Sequence, residues 1–128
     1  MANNSITRTN DLKILLTTKL KTITSNVYFE QAADTAMYPH IVFDFREIDL
    51  GDLSRQDYVL EVDVWTKGTN TTTIDELADN IEDLLQAKNL PQTNILPTFY
   101  KMDRRSIIDQ DKTLKHRQIR FQIQNYVR

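Results

Sequence analysis

The residues that decide the fold are YVLEVDVWT at positions 58–66, the polar turn KGTNT at 67–71, and TIDELADNIEDLLQAK at 73–88. In the first segment apolar even-numbered residues alternate with odd-numbered ones that include Glu61 and Asp63, and this period of two predicts a half-buried β-strand. In the last segment apolar residues recur every three or four positions, which predicts an amphipathic helix. A strand followed by a helix with one apolar face indicates a sheet that the helix covers.

This helix is predicted to begin at a capping box, Thr73-Ile74-Asp75-Glu76, whose hydroxyl and carboxylate bond the first free backbone amides, and to run to about Lys88. Its outer face is acidic and consists of Asp75, Glu76, Asp79, Glu82 and Asp83. Such a face is usually no more than a solvated surface. No lysine follows any of these acids at position i+4, however, so the face is also free to meet a basic neighbour.

The rest of the chain contains one earlier helix and four more strands. The first helix is predicted to start with Asn10 as its N-cap, because an apolar stripe follows it at helical spacing. The stripe consists of Leu12, Leu15, Leu16, Leu20 and Ile23. The other strands are predicted at residues 27–29, 40–46, 98–106 and 115–127, with a turn at 109–113.

The order of elements is therefore α-β-β-β-α-β-β, and it predicts an α+β fold in which both helices pack on one face of an antiparallel sheet. The 128 residues include two glycines and three prolines, and no repeat, low-complexity tract or linker divides them. We expect a single domain over residues 1–128, large enough to bury a core without a disulfide or metal.

Residues 47–57 alternate charged and apolar side chains around Gly51, without a sustained strand or helix period. They are predicted to form a long loop between two antiparallel strands. Loops of this length are often functional. The charged residues in and beside this loop include Arg46, Glu47, Asp49, Asp52 and Arg55.

Catalytic and metal-binding patterns are missing from the sequence. The absence of cysteine excludes thiolate nucleophiles, disulfides and cysteine-ligated metals, and it fits a reducing place of folding. His40 and His116 each begin a predicted strand outside any metal-ligand spacing, and no nucleophile elbow or phosphate-binding glycine motif occurs. We therefore expect no enzyme activity, cofactor or metal. Apolar runs are too short to predict a membrane span or the core of a signal peptide.

The net charge of −2 conceals a segregated charge distribution. Four basic residues stand against one acidic residue in residues 1–29, and two against nine in residues 30–66. Residues 67–88 hold two basic and five acidic residues, and residues 89–128 hold eight and three. These charges either mix in space or form two surfaces of opposite sign that steer one copy onto the next. Nucleic-acid binding is the least favoured interpretation, because the basic segment at residues 89–128 lacks a glycine-rich or aromatic stacking signature.

Two further features have both a structural and a functional interpretation. Trp65 falls on the outward side of its strand, where it either covers a second small core or anchors a protein interface. The last hairpin carries a basic cluster, which consists of Arg104, Arg105, Lys112, Lys115, Arg117 and Arg120. A hairpin at the end of a sheet can also extend onto the sheet edge of a neighbour.

Three segments share their order and spacing with a known family: YPHIVF at residues 38–43, YVLEVDVW at 58–65 with the turn and helix that follow, and KHRQIRFQI at 115–123. In these segments, which span about residues 10–127, the chain resembles the tail-terminator or tail-completion proteins of long-tailed bacteriophages, also described as head-tail joining proteins. The resemblance implies an α+β fold with helices on one side of a sheet. It supplies no catalytic residues.

The function implied by the resemblance is structural. Proteins of this family form hexameric rings that stop tail-tube polymerisation and present a surface to the connector of the head. The chain is then expected to be a homo-hexamer that contacts the tail-tube protein and the head-connector (stopper) protein, meets DNA only in passage and binds no membrane. Its expected location is the head-proximal end of the tail in the virion, and the host cytoplasm during assembly.

The contact residues are inferred from charge. We predict a subunit interface in which an acidic surface meets the basic hairpin of a neighbour, with Trp65 among the apolar contacts. The acidic side consists of Asp75, Glu76, Asp79 and Glu82, and the basic side of Arg104, Arg105, Lys115 and Arg117. The central channel is predicted to be lined by Arg46, Glu47, Asp49, Asp52 and Arg55, whose mixed acidic character would keep passing DNA from adhering.

Two alternative functions stay open at this point. The nearer one is another ring-forming neck or tail protein, such as a stopper or a tube subunit. The other is a small-molecule-binding or enzymatic α+β domain, which would require a deep pocket lined by convergent polar groups around His40 or His116.

Overall fold

The fold is described from a computed structural model, in which residues 4–48, 55–92 and 94–127 of the chain are described. In chain order the elements are α1 (Asn4–Leu20), β1 (Val27–Phe29), β2 (His40–Ile48), β3 (Arg55–Lys67), α2 (Thr72–Leu85), β4 (Ile95–Ile108) and β5 (Leu114–Val127). The predicted α+β class and order of elements are confirmed.

The five strands form one sheet in the order β1-β2-β3-β5-β4. The pairs β2–β3, β3–β5 and β4–β5 are antiparallel, whereas β1 runs parallel to β2. The sheet is therefore mixed, and the prediction of a purely antiparallel sheet is wrong. Side-chain periodicity could not give the direction of β1, because it fixes the face of a residue and not the path of the connection at residues 30–39.

The helices cover one face of the sheet, which we call the helix face. On β3 the even-numbered Leu60, Val62 and Val64 are fully buried in the same apolar cluster as residues of both helices. The helix residues of this cluster are Leu12, Leu15, Leu16, Leu20, Ile74, Ala78, Ile81 and Leu85. The opposite face, which we call the open face, carries the odd-numbered residues of β3 and the even-numbered residues of β5 that pair with them. The predicted packing of both helices on one face is confirmed.

The starts of both helices differ from the predictions. α1 begins at Asn4, so an N-cap at Asn10 is wrong: the apolar stripe marks only the part of a helix that packs, and the helix extends beyond it toward the N-terminus. α2 begins at Thr72, one residue before the predicted capping box, and its N-cap Thr71 makes no side-chain cap bond. The Asn70 side-chain oxygen instead accepts the Thr72 backbone N–H at 2.7 Å.

The predicted long loop at residues 47–57 is also wrong at both ends. β2 continues to Ile48 and β3 begins at Arg55, with Ile48 paired to Asp57. β5 pairs with every residue of β3, and this long template keeps the start of β3 extended although its own residues have no clear period. Asp49 and Asp52 lie outside the described residues.

The burial of α1 gives a test of the fold. Leu16 is fully buried, so Leu16→Ala is expected to lower the free energy of unfolding by about 2 to 5 kcal/mol through lost apolar burial and a cavity. Ile14 lies on the same helix with 62% of its surface exposed, so Ile14→Ala is expected to change it by less than about 0.5 kcal/mol. Urea unfolding of both variants makes the measurement. Equal losses would mean that α1 does not pack through this stripe.

Candidate assembly surfaces

Acidic residues of α2 and basic residues of β4 and β5 meet within one chain. The Arg104 guanidinium donates to Asp79 at 2.6 Å and to Glu82 at 2.7 Å through Nη1. Three further ion pairs join these residues to their neighbours. They are Lys101 Nζ to Glu82 at 2.6 Å, Arg104 Nη2 to Asp75 at 3.3 Å and Arg117 Nε to Asp75 at 3.0 Å. We call these six residues the α2 ion-pair network.

A β-bulge in β4 creates this network. Lys101 pairs with Phe121 of β5, and Arg104 pairs with Ile119, although an unbroken strand would place residues 101 and 104 on opposite faces. The register shift between Lys101 and Asp103 inserts one residue, so both cations lie on the helix face below α2. The sequence carries no spacing signal for such a bulge, which is why the partners of α2 could not be assigned in advance.

The network lowers the pKa of Glu82 and raises that of Arg104. Burial alone would raise the pKa of Glu82, but the hydrogen bonds from Lys101 and Arg104 outweigh it and lower the pKa from its ordinary value. Burial alone would lower the pKa of Arg104, and the bonds to Asp79 and Glu82 reverse that effect. Both shifts favour the charged forms of these side chains, so the pairs stabilise the contact of α2 with the hairpin.

The predicted interface residues are thus already in contact inside the chain. The expectation that the acidic face of α2 is free for a basic neighbour is wrong for Asp75, Asp79 and Glu82, since the folded chain brings Arg104 and Arg117 to them. The remaining members of the predicted set are Glu76, which is exposed, Lys115, whose Nζ donates to the Lys112 carbonyl, and Arg105, whose Nε donates to Gln118. A contact between subunits at these positions stays a prediction.

Trp65 lies on the open face between two histidines. Its ring stacks on His116 at 4.0 Å between centroids and on His40 at 5.2 Å. His116 Nε2 contacts Asp63 Oδ1 at 2.7 Å. Gln118 donates to the same carboxylate oxygen at 3.2 Å. Trp65 therefore covers a second small aromatic cluster, as one of its two interpretations predicted, and its role as an interface anchor stays a prediction.

A groove of about 400 Å³ lies beside this cluster, between the open face and residues 30–38. Alanines form much of its wall, which also carries the carboxylates of Glu30 and Asp34. His40 lies beneath it, where burial lowers the pKa of the ring against a smaller opposing effect of the Met37 carbonyl. The groove opens to solvent, and its lining also includes the polar side chains of Gln31, Tyr38 and His40, so the small-molecule-binding alternative stays a prediction.

The described members of the predicted channel lining, Arg46, Glu47 and Arg55, lie at the other end of the sheet. Arg46 and Glu47 are exposed near the end of β2, and Gln56 donates to Glu47 at 2.6 Å. Arg55 is held by a two-pronged bond to Asp57, at 2.9 Å from Nε and 2.8 Å from Nη2. Burial alone would raise the pKa of Asp57, but these bonds outweigh it and lower the pKa. Arg55 is therefore a structural cation, and the channel role of this end stays a prediction.

The described residues were expected to hold neither a metal site nor a membrane-spanning helix. Within residues 4–48, 55–92 and 94–127, no three acidic or histidine side chains come together as a metal-binding group. In the same part of the chain, no helix is long and apolar enough to cross a bilayer.

Comparison with known proteins gives a family and a fold. A family model described as tail completion protein gp17 matches residues 9–124. A chain from the virion of a native gene transfer agent (GTA) particle superposes with a TM-score of 0.67 at 11% identity, with 84% of each chain covered. At that identity the superposition shows a shared fold. No curated protein matches the sequence.

The α2 ion-pair network is expected to stabilise the domain. Arg104→Met keeps most of the side-chain volume but leaves Glu82 without one of its cations, and it should lower the free energy of unfolding by about 1 to 2 kcal/mol. Lys112→Met removes an exposed charge from the hairpin turn and should change it by less than about 0.5 kcal/mol. Urea unfolding at neutral pH compares the two. Equal effects would show that the network contributes nothing to stability.

His40 is expected to make stability depend on pH below about 6.5, the ordinary pKa of histidine. Because the pKa of His40 is lowered in the folded chain, the unfolded chain binds a proton there that the folded chain does not, and stability falls as the pH decreases. His40→Phe removes the titrating group, so its unfolding midpoint should change less with pH between about pH 7 and pH 5 than that of the wild type. Lys112→Met, with both histidines intact, should keep the slope of the wild type. If the unfolding midpoint of His40→Phe changes with pH as steeply as that of the wild type, another group causes the pH dependence.

Proposed function

This chain belongs to the tail completion protein gp17 family, whose model matches residues 9–124, and from that premise we propose that its copies form a hexameric ring that caps the tail tube. The ring ends polymerisation of the tube and joins the tail to the connector of the head. The match across nearly the whole chain is the observation that carries this proposal, because it extends from within α1 to within β5.

The chemistry of the described surfaces supports a structural role. Many of the polar groups that the sequence offered as candidates are engaged in ion pairs and stacked rings, among them Glu82 with Arg104 and His40 with Trp65. A protein that acts by joining others needs surfaces of defined shape and charge and no reactive group. We therefore assign it a structural role in the tail without catalysis.

The partners follow from the position of such a ring. One face of the ring contacts the tail-tube protein, the other contacts the head-connector (stopper) protein, and DNA passes through the centre. The ring occupies the head-proximal end of the tail, and its copies assemble in the host cytoplasm. The end of the sheet with Arg46 and Glu47, where Asp49 and Asp52 follow in the sequence, is the candidate channel lining, because exposed acids there repel the DNA backbone.

Charge also takes part in the proposed subunit contact. Glu76 and Arg105 are exposed members of the predicted interface that lie outside the α2 ion-pair network. Charges of this kind orient two subunits more than they hold them together.

The proposal is tested by removing the protein from assembling tails. Without it, tubes are expected to exceed their normal length and to stay unattached to heads, and the wild-type chain supplied separately should restore both. Native mass spectrometry and electron microscopy of the purified chain with tail tubes should show a hexamer at the tube end. Tubes of normal length that fail only to join heads would indicate a stopper, and self-polymerisation of the chain would indicate a tube subunit.

A further inference from the structure

The two edges of the sheet suggest how one copy meets the next, and this inference rests on the ring proposed above. We propose that the outer half of β4 in one copy pairs antiparallel with β1 of the next copy, with Arg105 placed between Tyr28 and Glu30 of that copy. The contact continues the sheet across the subunit boundary through backbone hydrogen bonds, and the side chains select the partner.

Half of the β4 edge is covered by the chain itself. Residues 86–92 lie along it, with the Ala87 N–H donating to the Phe99 carbonyl at 2.7 Å and the Leu90 N–H to the Pro97 carbonyl at 3.0 Å. Beyond Lys101 this cover ends. From Met102 to Ile108 no described residue other than those of β5 makes a backbone hydrogen bond with β4, so its outer side is unpaired.

The opposite edge of the sheet is β1, and its outer side is also available. The Asn26 carbonyl accepts the Ile41 N–H and the Glu30 N–H donates to the Phe43 carbonyl, both at 2.9 Å. In a parallel pair this pattern directs the backbone N–H and C=O of Tyr28 toward β2. The backbone groups of Val27 and Phe29 then point away from β2. Of these outward groups, the Phe29 carbonyl accepts the Gln31 N–H within the chain.

The two free edges lie at the same height in the sheet. Across the paired strands, Val27 of β1 stands in the row that ends at Ser106 of β4, and Phe29 in the row that ends at Arg104. β4 runs opposite to β1, because β1 is parallel to β2 and every later pair is antiparallel. A copy placed beside the first in the same orientation therefore sets its β1 antiparallel to β4 without a shift along the strands.

The third unpaired stretch of edge does not compete for this contact. It is the end of β2 from Asp44 to Ile48, beyond the three residues that pair with β1. From Phe45 to Ile48 they stand in rows that end between Lys101 and Thr98, level with the covered half of β4, and Asp44 stands in the row that ends at Asp103.

Side chains on the open face complement each other across the proposed contact. Arg105 is exposed, and its Nε donates to Gln118 at 2.9 Å, while both Nη groups lack a described partner. Tyr28 stands in the same row as Arg105, and the exposed Glu30 follows it, lining the groove on the open face. An aromatic ring and a carboxylate together suit a guanidinium.

The outer half of β4 also has features that limit pairing with other proteins. The β-bulge and the exposed Arg105 disfavour indiscriminate strand addition, so an acceptor with a negative charge suits this edge. On the helix face a polar groove of about 620 Å³ runs beside residues 101–106. Ile108 at the end of the strand is 95% exposed, an apolar group that a neighbouring copy would cover.

Cross-linking tests the geometry directly, because the chain has no cysteine. The double variant Val27→Cys with Ser106→Cys places one thiol on each edge in the same row and leaves Arg105, Tyr28 and Glu30 intact. Mild oxidation is expected to join copies into covalent oligomers larger than dimers. The control Arg46→Cys with Ser106→Cys, whose positions are both exposed, should not cross-link.

The outcomes separate this inference from the proposed function. Rings seen by native mass spectrometry without a Val27–Ser106 cross-link would overturn the edge contact and leave the ring. Dimers from Ser106→Cys alone would overturn it in favour of β4 pairing with β4. A chain that stays monomeric in the presence of tail tubes would overturn both proposals.

Charge reversal tests the side-chain part of the contact. Arg105→Glu is expected to weaken association by about tenfold or more, because it sets two acids against each other, and Arg105→Glu with Glu30→Arg should restore it. Lys112→Glu is the matched control, with the same change of charge on the hairpin and no expected effect on association. Circular dichroism should show every variant folded. A double reversal that assembles no better than Arg105→Glu would overturn the pairing of Arg105 with Glu30.

Discussion

The antiparallel ladder between β3 and β5 is the constraint on which the rest of the structure depends. All 13 residues of β3 pair with β5, so alternate side chains of both strands are fixed on one face or the other. Leu60, Val62 and Phe121 are buried on the helix face and give α1 and α2 a continuous apolar surface. A slip by one residue would exchange this surface for Glu61 and Asp63, which explains why the register is firmly specified.

The bulge in β4 is the second determinant, because it decides what the charges of the chain do. By placing both Lys101 and Arg104 on the helix face, it joins the basic last third of the sequence to the acidic face of α2. Charges that are segregated along the chain are therefore mixed in space at this site. The same bulge leaves Arg105 on the open face, where it is exposed and its Nε donates to Gln118.

These two features separate the contacts that hold the fold from the strand edges that we propose for assembly. The apolar core and the ion pairs lie on the helix face, and the stacked rings of His40, Trp65 and His116 lie on the open face. Among the described residues, the outer sides of β1, of the second half of β4 and of the end of β2 make no strand pairing. In a tail completion protein the unused backbone edges are natural points for contact between copies, since backbone pairing needs no reactive chemistry.

The sequence by itself determined the class of fold, the order of elements and the family resemblance. The period of two in β3 and the apolar stripe of α2 depend only on which residues can face a core, and such local patterns survive folding unchanged. The parallel direction of β1 and the extension of β2 to Ile48 and of β3 back to Arg55 were decided by tertiary structure, because partners distant in the sequence supplied the hydrogen bonds. The pairing of Arg104 with Asp79 and Glu82 was decided there too, since a single inserted residue in β4 changes the face of every side chain after it.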